Sequence, residues 1–89
     1  MQVGITYKFI SDPGHGWLEV PHQDLIDLGV DNKISKYSYL DRSSNMAYLE
    51  EDLDAGVFMD RYKEVVGSDL VYKRVHQENT FIRDLTHYQ

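Results

Sequence analysis

Asp12-Pro13-Gly14-His15-Gly16 constrains this chain more than any other stretch, because two extended apolar patterns meet there. Val3, Ile5, Tyr7 and Phe9 fall on alternate positions before it, and Trp17-Leu18-Glu19-Val20 resumes an extended pattern after it. Alternation of this kind is the signature of a half-buried strand. Pro13 fixes φ at the second position of a four-residue turn, and Gly14 can supply a positive φ at the third. Asp12–His15 therefore reads as a type II turn, and residues 2–20 as a β-hairpin.

Pro21 suits the first turn of a helix, where a missing N–H costs nothing. Leu25, Ile26 and Leu28 supply an apolar side and Gly29 a left-handed stop, which predicts a short helix over residues 21–28. After a connector from Val30 to Lys33, residues 34–40 alternate as a strand. Ser43-Ser44-Asn45 makes a turn, and Met46–Glu50 returns as the second arm of another hairpin. Asp52 is a suitable N-cap for a second helix, and Asp54 complements the dipole of its first turn. Ala55, Phe58, Tyr62, Val65 and Val66 recur at helical spacing, with Asp60, Arg61, Lys63 and Glu64 on the wet side and Gly67 at the end. Gly56 inside this helix costs ~1 kcal/mol against alanine, which points to a close approach to its backbone. Residues 70–76 form a last strand. The tail from Gln77 to Gln89 carries Phe81, Ile82, Leu85 and Tyr88, too apolar to stay in water. The expected order is ββαββαβ, an α+β single domain over residues 1–89. Its small, mainly antiparallel sheet of about five strands carries two helices on one face.

With 89 residues the core is thin, and with no cysteine there is neither a disulfide to support it, nor a zinc-thiolate site, nor a Cys nucleophile. That pattern suits a reducing compartment, which favours the cytosol. The opening residues do not form an apolar signal core, and no apolar run reaches membrane-spanning length. Net charge is −6, with Asp12, Glu19, Asp24, Asp27 and Asp31 against Lys8 alone in the first part of the chain. Such a surface repels a phosphate backbone, which argues against generic nucleic-acid binding and suits a basic protein partner. Negative charge also keeps a small domain soluble.

Alternation sorts the strand side chains into two faces. Leu18, Val20, Ala47, Leu49, Val71 and Val75 make an aliphatic face for the helices. Trp17, Glu19, Tyr48, Tyr72, Arg74 and His76, joined by Tyr37 and Tyr39 in matching register, make an aromatic face edged with polar groups. One residue of slip inverts the assignment. The aromatic set reads as ordinary outer-sheet cover or as an interaction platform, and it invites a symmetric homodimer.

The histidines, His15, His22, His76 and His87, have no metal-ligand spacing, and Asp52–Gly56 lacks the third acid and closing Glu of a calcium loop. Neither metal nor cofactor is expected. His15 projects from a tight turn beside Trp17, with Asp12 near enough to hold it, as acid–base catalysis requires. Paired with His76 it would suggest a phosphodiesterase-like site, but no nucleophile motif or phosphate-cradling loop accompanies it. Glu50–Asp54 reads as a strand end and a capped helix start in preference to catalytic carboxylates. A non-enzymatic binder is the leading expectation.

The stretches Asp12–Pro21, Lys33-Ile34-Ser35 through Tyr37-Ser38-Tyr39, Tyr48–Asp52 and Ile82-Arg83 resemble a group of small phage- and plasmid-encoded proteins of uncharacterised activity. The resemblance spans nearly the whole chain and implies a setting without supplying a reaction. In that setting the chain would be a stoichiometric inhibitor of a host defence system, docking on a basic patch of a defence protein such as a CRISPR effector. A second expectation is a sponge for a nucleotide second messenger, with Trp17 or Tyr39 stacking on a base and Arg74, His76 or Arg83 holding phosphate. A small His-dependent enzyme is the third.

Overall fold

In a computed structural model that describes residues 1–88, Thr6–Ser11 (β1) and Gly16–Pro21 (β2) form the expected hairpin, paired from Lys8↔Glu19 to Ser11↔Gly16. Gln89, the last residue of the expected tail, lies outside the described residues. The first strand starts later than residue 2, because Gly4 takes a φ of 85° and breaks the extended run. Its turn is not type II: Gly14 has no positive φ. Instead Oδ1 of Asp12 accepts the backbone N–H of Gly14 at 2.9 Å and of His15 at 2.8 Å, while the Asp12 N–H donates to the His15 carbonyl at 2.9 Å. A carboxylate that imitates a backbone turn removes the need for a left-handed residue.

His22–Asp27 (α1) follows with Pro21 as its N-cap residue, and Gly29 leaves it at the expected positive φ of 71°. Residues 34–40 do not form one strand, since only Tyr39–Asp41 (β3) is extended and paired. Met46–Glu50 (β4) returns beside it, then Asp54–Val66 (α2), Val71–His76 (β5) and the short Thr86–His87 (β6). The sheet has six strands in the order β5-β1-β2-β4-β3-β6. Every neighbouring pair is antiparallel except β1 with β5. This is an α+β fold with a mainly antiparallel sheet.

One face is covered by both helices. Leu18, Val20, Ala47 and Leu49 pack there with Leu25 and Leu28 of α1 and with Ala55, Phe58 and Tyr62 of α2. Val65, expected in that stripe, is 53% exposed, because a face running through 55, 58 and 62 continues at Val66. Asp52 is not the cap of α2. The N-cap residue is Leu53, and Asp54 is fully buried. The expected close approach at Gly56 is also absent, since a Cβ built there meets nothing within 4 Å. Gly56→Ala should therefore stabilise the domain by ~0.5–1 kcal/mol, seen as a higher urea midpoint. A lower midpoint would show that this turn of α2 needs its glycine.

The other face carries a second, smaller core in which Ile10, Trp17 and Tyr48 are roofed by Ile82. The tail thus packs back through the short 3-10 turn Phe81–Asp84, and Tyr88 reaches the main core. Strand β5 is the exception to the sorting of faces. Its parallel register pairs Phe9 with Arg74 and Ile10 with Val75. Val71 and Val75 therefore share the face of Trp17, while Tyr72, Arg74 and His76 share that of Phe9, the reverse of the expectation. An exposed edge strand has little burial to set its register, so its neighbour's hydrogen bonds decide.

Candidate functional site

The opening turn and the tail are locked together by one ion pair. Arg83 Nε donates to Asp12 Oδ2 at 2.6 Å and Nη2 to Oδ1 at 3.0 Å, a bidentate fork. The Arg83 hydrogen bond, with those from the His15 and Gly14 backbone, holds the Asp12 carboxyl well below the usual carboxylate range against the opposing effect of burial. Glycine at 14 leaves room for this fork, since a Cβ there would stand 3.1 Å from Arg83 Nη2 and press on the guanidinium.

The same guanidinium lies 5.3 Å from the Trp17 ring centroid and directs a third contact, Nη2 to His15 Nδ1 at 3.0 Å. Arginine can only donate, so Nδ1 of His15 accepts and its ring proton sits on Nε2. From His15 the rings run on in a chain. His15 stacks on Trp17 at 6.0 Å, Trp17 meets Tyr39 edge-on at 6.3 Å, and Tyr39 stacks on His87 at 4.7 Å. The Tyr39↔His87 pairing of β3 with β6 brings the last two together. His87 Nδ1 donates to the Lys36 carbonyl at 2.7 Å, which leaves its Nε2 as the unprotonated nitrogen of the neutral ring. The two imidazoles are fixed in opposite tautomers.

These groups surround an open cavity of about 380 Å³, lined by His15, Trp17, Tyr37, Tyr39, Arg83 and His87 together with Glu50, Asp52 and Leu53. Its Tyr37 wall is held from below. Asp54 accepts from Ser35 N at 3.1 Å, from Ser35 Oγ at 2.7 Å and from Ser38 Oγ, and Ser38 Oγ accepts the Glu50 N–H at 2.9 Å. Residues 34–38 wrap around this carboxylate instead of continuing β3.

Of the residues singled out in the sequence, His15, Trp17, Tyr37, Tyr39 and Arg83 meet at the cavity. Trp17 is only 2% exposed, so it forms the floor and offers no free ring face. Tyr48 is buried beneath the turn that carries Phe81, its hydroxyl donating to Glu19 at 3.1 Å and its ring edge-on to Phe81 at 5.3 Å. Tyr72, Arg74 and His76 lie on β5, away from the cavity lining. His76 contacts Ser11 Oγ at 3.3 Å and Glu78 at 3.5 Å, so the imagined pairing with His15 does not form. The cavity's second histidine is His87, from the tail, which no pattern in the sequence marks as a site residue. Glu50 and Asp52, read as parts of a strand end and a helix cap, are its carboxylates. No protein-family model, curated protein or solved structure matches this chain.

Charge decides what the cavity can take. The Asp12 carboxylate cancels Arg83, and neither Glu50 nor Asp52 has an ion-pair partner among the described residues. Among the described residues no group of three or more His, Asp or Glu side chains is placed to hold a metal ion. The cavity is therefore aromatic-walled and negatively charged, with Leu53, 53% exposed, as an apolar ledge at its mouth. Tyr37, 62% exposed, presents the most accessible ring, and the Lys36 ammonium already stands 6.0 Å from its centroid.

Proposed function

We propose that this domain is a non-catalytic binding protein whose cavity receives a Lys or Arg side chain from a basic patch on a protein partner. The observation that carries the reading is the pairing of Tyr37 and Tyr39 with the uncompensated carboxylates of Glu50 and Asp52 around one cavity. A long cationic side chain suits each part of it. Its aliphatic stem would lie along Leu53, and its charge would meet the tyrosine rings and the carboxylates. The chain's net charge of −6 would add attraction at longer range and speed encounter. In the setting that the resemblance implies, the partner is a host defence protein and the mode of action is occupancy. A phosphate-bearing nucleotide suits the cavity less well, because two carboxylates oppose it and Trp17 has no open face for a base.

The test is capture from bacterial lysate by immobilised protein, followed by quantitative binding of the recovered partner. Glu50→Gln combined with Asp52→Asn is expected to weaken binding about thirtyfold or more, the loss of an interface anchor worth ~2 kcal/mol. Wild-type binding should also fall steeply with salt. Undiminished binding by the double variant would overturn the reading, and a nucleotide retained in native mass spectrometry would replace it with the sponge.

One observation favours a second reading. His15 offers an N–H that can polarise a substrate oxygen and His87 a lone pair that can accept a proton on the same cavity, an electrophile and a general base. Turnover lost in both His15→Gln and His87→Gln, with partner capture unchanged, would establish the enzyme in place of the binder.

A further inference from the structure

Strand β5 is one edge of the sheet, with β1 as its sole strand neighbour among the described residues. The parallel ladder fixes which of its backbone groups are used. The Gln77 N–H donates to the Ser11 carbonyl at 2.8 Å, and Ser11 is paired with His76. Along a strand, backbone groups point alternately to either side, so Val71, Lys73, Val75 and Gln77 face β1. Tyr72, Arg74 and His76 therefore turn their N–H and C=O groups outward, on a strand of six residues with no buried side chain. Such a row is a template for another strand.

This edge is also a basic stretch in an acidic chain. Lys73 and Arg74 are adjacent, and neither has an ion-pair partner among the described residues. Arg74 is held ready, its guanidinium 5.2 Å from the Phe9 ring centroid and 5.6 Å from that of Tyr72. A second copy does not suit the edge. Two-fold antiparallel pairing about the middle of β5 sets Arg74 against Arg74 or Lys73 against Lys73, and like charges directly opposite are destabilising.

We infer that the β5 edge is a second binding site, which accepts an extended acidic segment of another protein as an added strand, hydrogen-bonded to the backbone of Tyr72, Arg74 and His76 and paired through its carboxylates with Lys73 and Arg74. This inference is independent of the cavity. The probe is a labelled peptide of about ten residues, the upper length of an ordinary strand, repeating threonine–glutamate–glutamate so that carboxylates reach both the Lys73 face and the Arg74 face, with a threonine–lysine–lysine peptide as its counterpart. The glutamate peptide should bind the full chain and slow amide exchange at Tyr72, Arg74 and His76 roughly tenfold or more, leaving the already bonded amides of Lys73 and Val75 little changed. Arg74→Ala removes the charged side chain and its stacking on Phe9 and Tyr72, whereas Arg74→Pro removes these and also an outward N–H that no internal bond uses. The proline variant should bind at least about tenfold more weakly than the alanine variant, with circular dichroism showing both folded. Tyr37→Ala, at the cavity, should bind the peptide as wild type does. Equal binding of the lysine peptide, equal losses from alanine and proline, or protection spread evenly along β5 would each overturn the inference. So would sedimentation showing a dimer that Arg74→Pro dissociates, since the edge would then belong to a second copy.

Discussion

Trp17→Ala is expected to destabilise the domain by ~3–5 kcal/mol, a large part of the 5–15 kcal/mol that holds a typical small domain folded. The indole is 2% exposed and joins Ile10, Tyr48 and Ile82 in the core on the sheet face opposite the helices. Its removal leaves a cavity that these neighbours can fill only in part, and it takes away the surface on which His15 and Arg83 rest. The tail should loosen with it, because Ile82 packs on this core. Urea denaturation followed by far-ultraviolet circular dichroism measures the loss. Tyr37→Ala, at a 62% exposed ring, should change stability by ~0.5 kcal/mol or less. Only Tyr37 can therefore be truncated as a clean test of aromatic binding; a lost activity in Trp17→Ala would report unfolding. Equal midpoints for Trp17→Ala and wild type would show that the second core contributes little.

The sequence was most informative where burial acts on both partners of a pattern. Alternation in β2 and β4 placed Leu18, Val20, Ala47 and Leu49 on one face correctly, because both strands lie inside the sheet and a slip would drive aliphatic side chains into water. The stripe Ala55, Phe58 and Tyr62 was legible for the same reason. Strand β5 departs from its pattern because it lies at an edge, where Tyr72 and Arg74 stack on Phe9 and Val71 is left 63% exposed. The site was half legible. His15, Trp17, Tyr37, Tyr39 and Arg83 could be marked as unusual, but the cover of Trp17 and Tyr48 by Ile82 and Phe81 depends on how the tail folds back, which has no local period. His87 belongs to the same class, since its place beside Tyr39 follows from a two-residue strand. Gly14 shows the opposite failure. A Pro-Gly pair carries a strong turn signal, yet the Asp12 carboxylate closed the turn by another route and glycine served the approach of Arg83.

Asp54→Ala should cost about 3–5 kcal/mol, because it takes the shared acceptor from two hydroxyls and a backbone N–H at once. The sequence suggests a dipole-matching surface acid, but the carboxylate is fully buried and accepts from the Ser35 backbone, the Ser35 hydroxyl and the Ser38 hydroxyl. Alanine leaves those donors without their acceptor, at ~1–3 kcal/mol for a group left unsatisfied, most severely at the fully buried Ser38. The loss should spread beyond α2. Ser38 also accepts the Glu50 N–H, and its carbonyl accepts the Tyr88 N–H at 2.7 Å, so β4 and the tail are tied to the same hydroxyl residue. Asp54→Asn keeps one oxygen acceptor and should cost less than alanine. Asp60→Ala, on the exposed side of the same helix, should cost ~0.5 kcal/mol or less. Chemical denaturation of the three variants gives the ranking. A functional consequence separates this carboxylate from ordinary core residues, because it anchors the segment that carries Tyr37. Under conditions where Asp54→Asn remains folded, partner binding at the cavity should weaken more than the change in folded fraction explains, through the displaced Tyr37 wall. Binding that falls only in step with the folded fraction would assign Asp54 to stability alone, and an alanine variant as stable as Asp60→Ala would dismiss the network altogether.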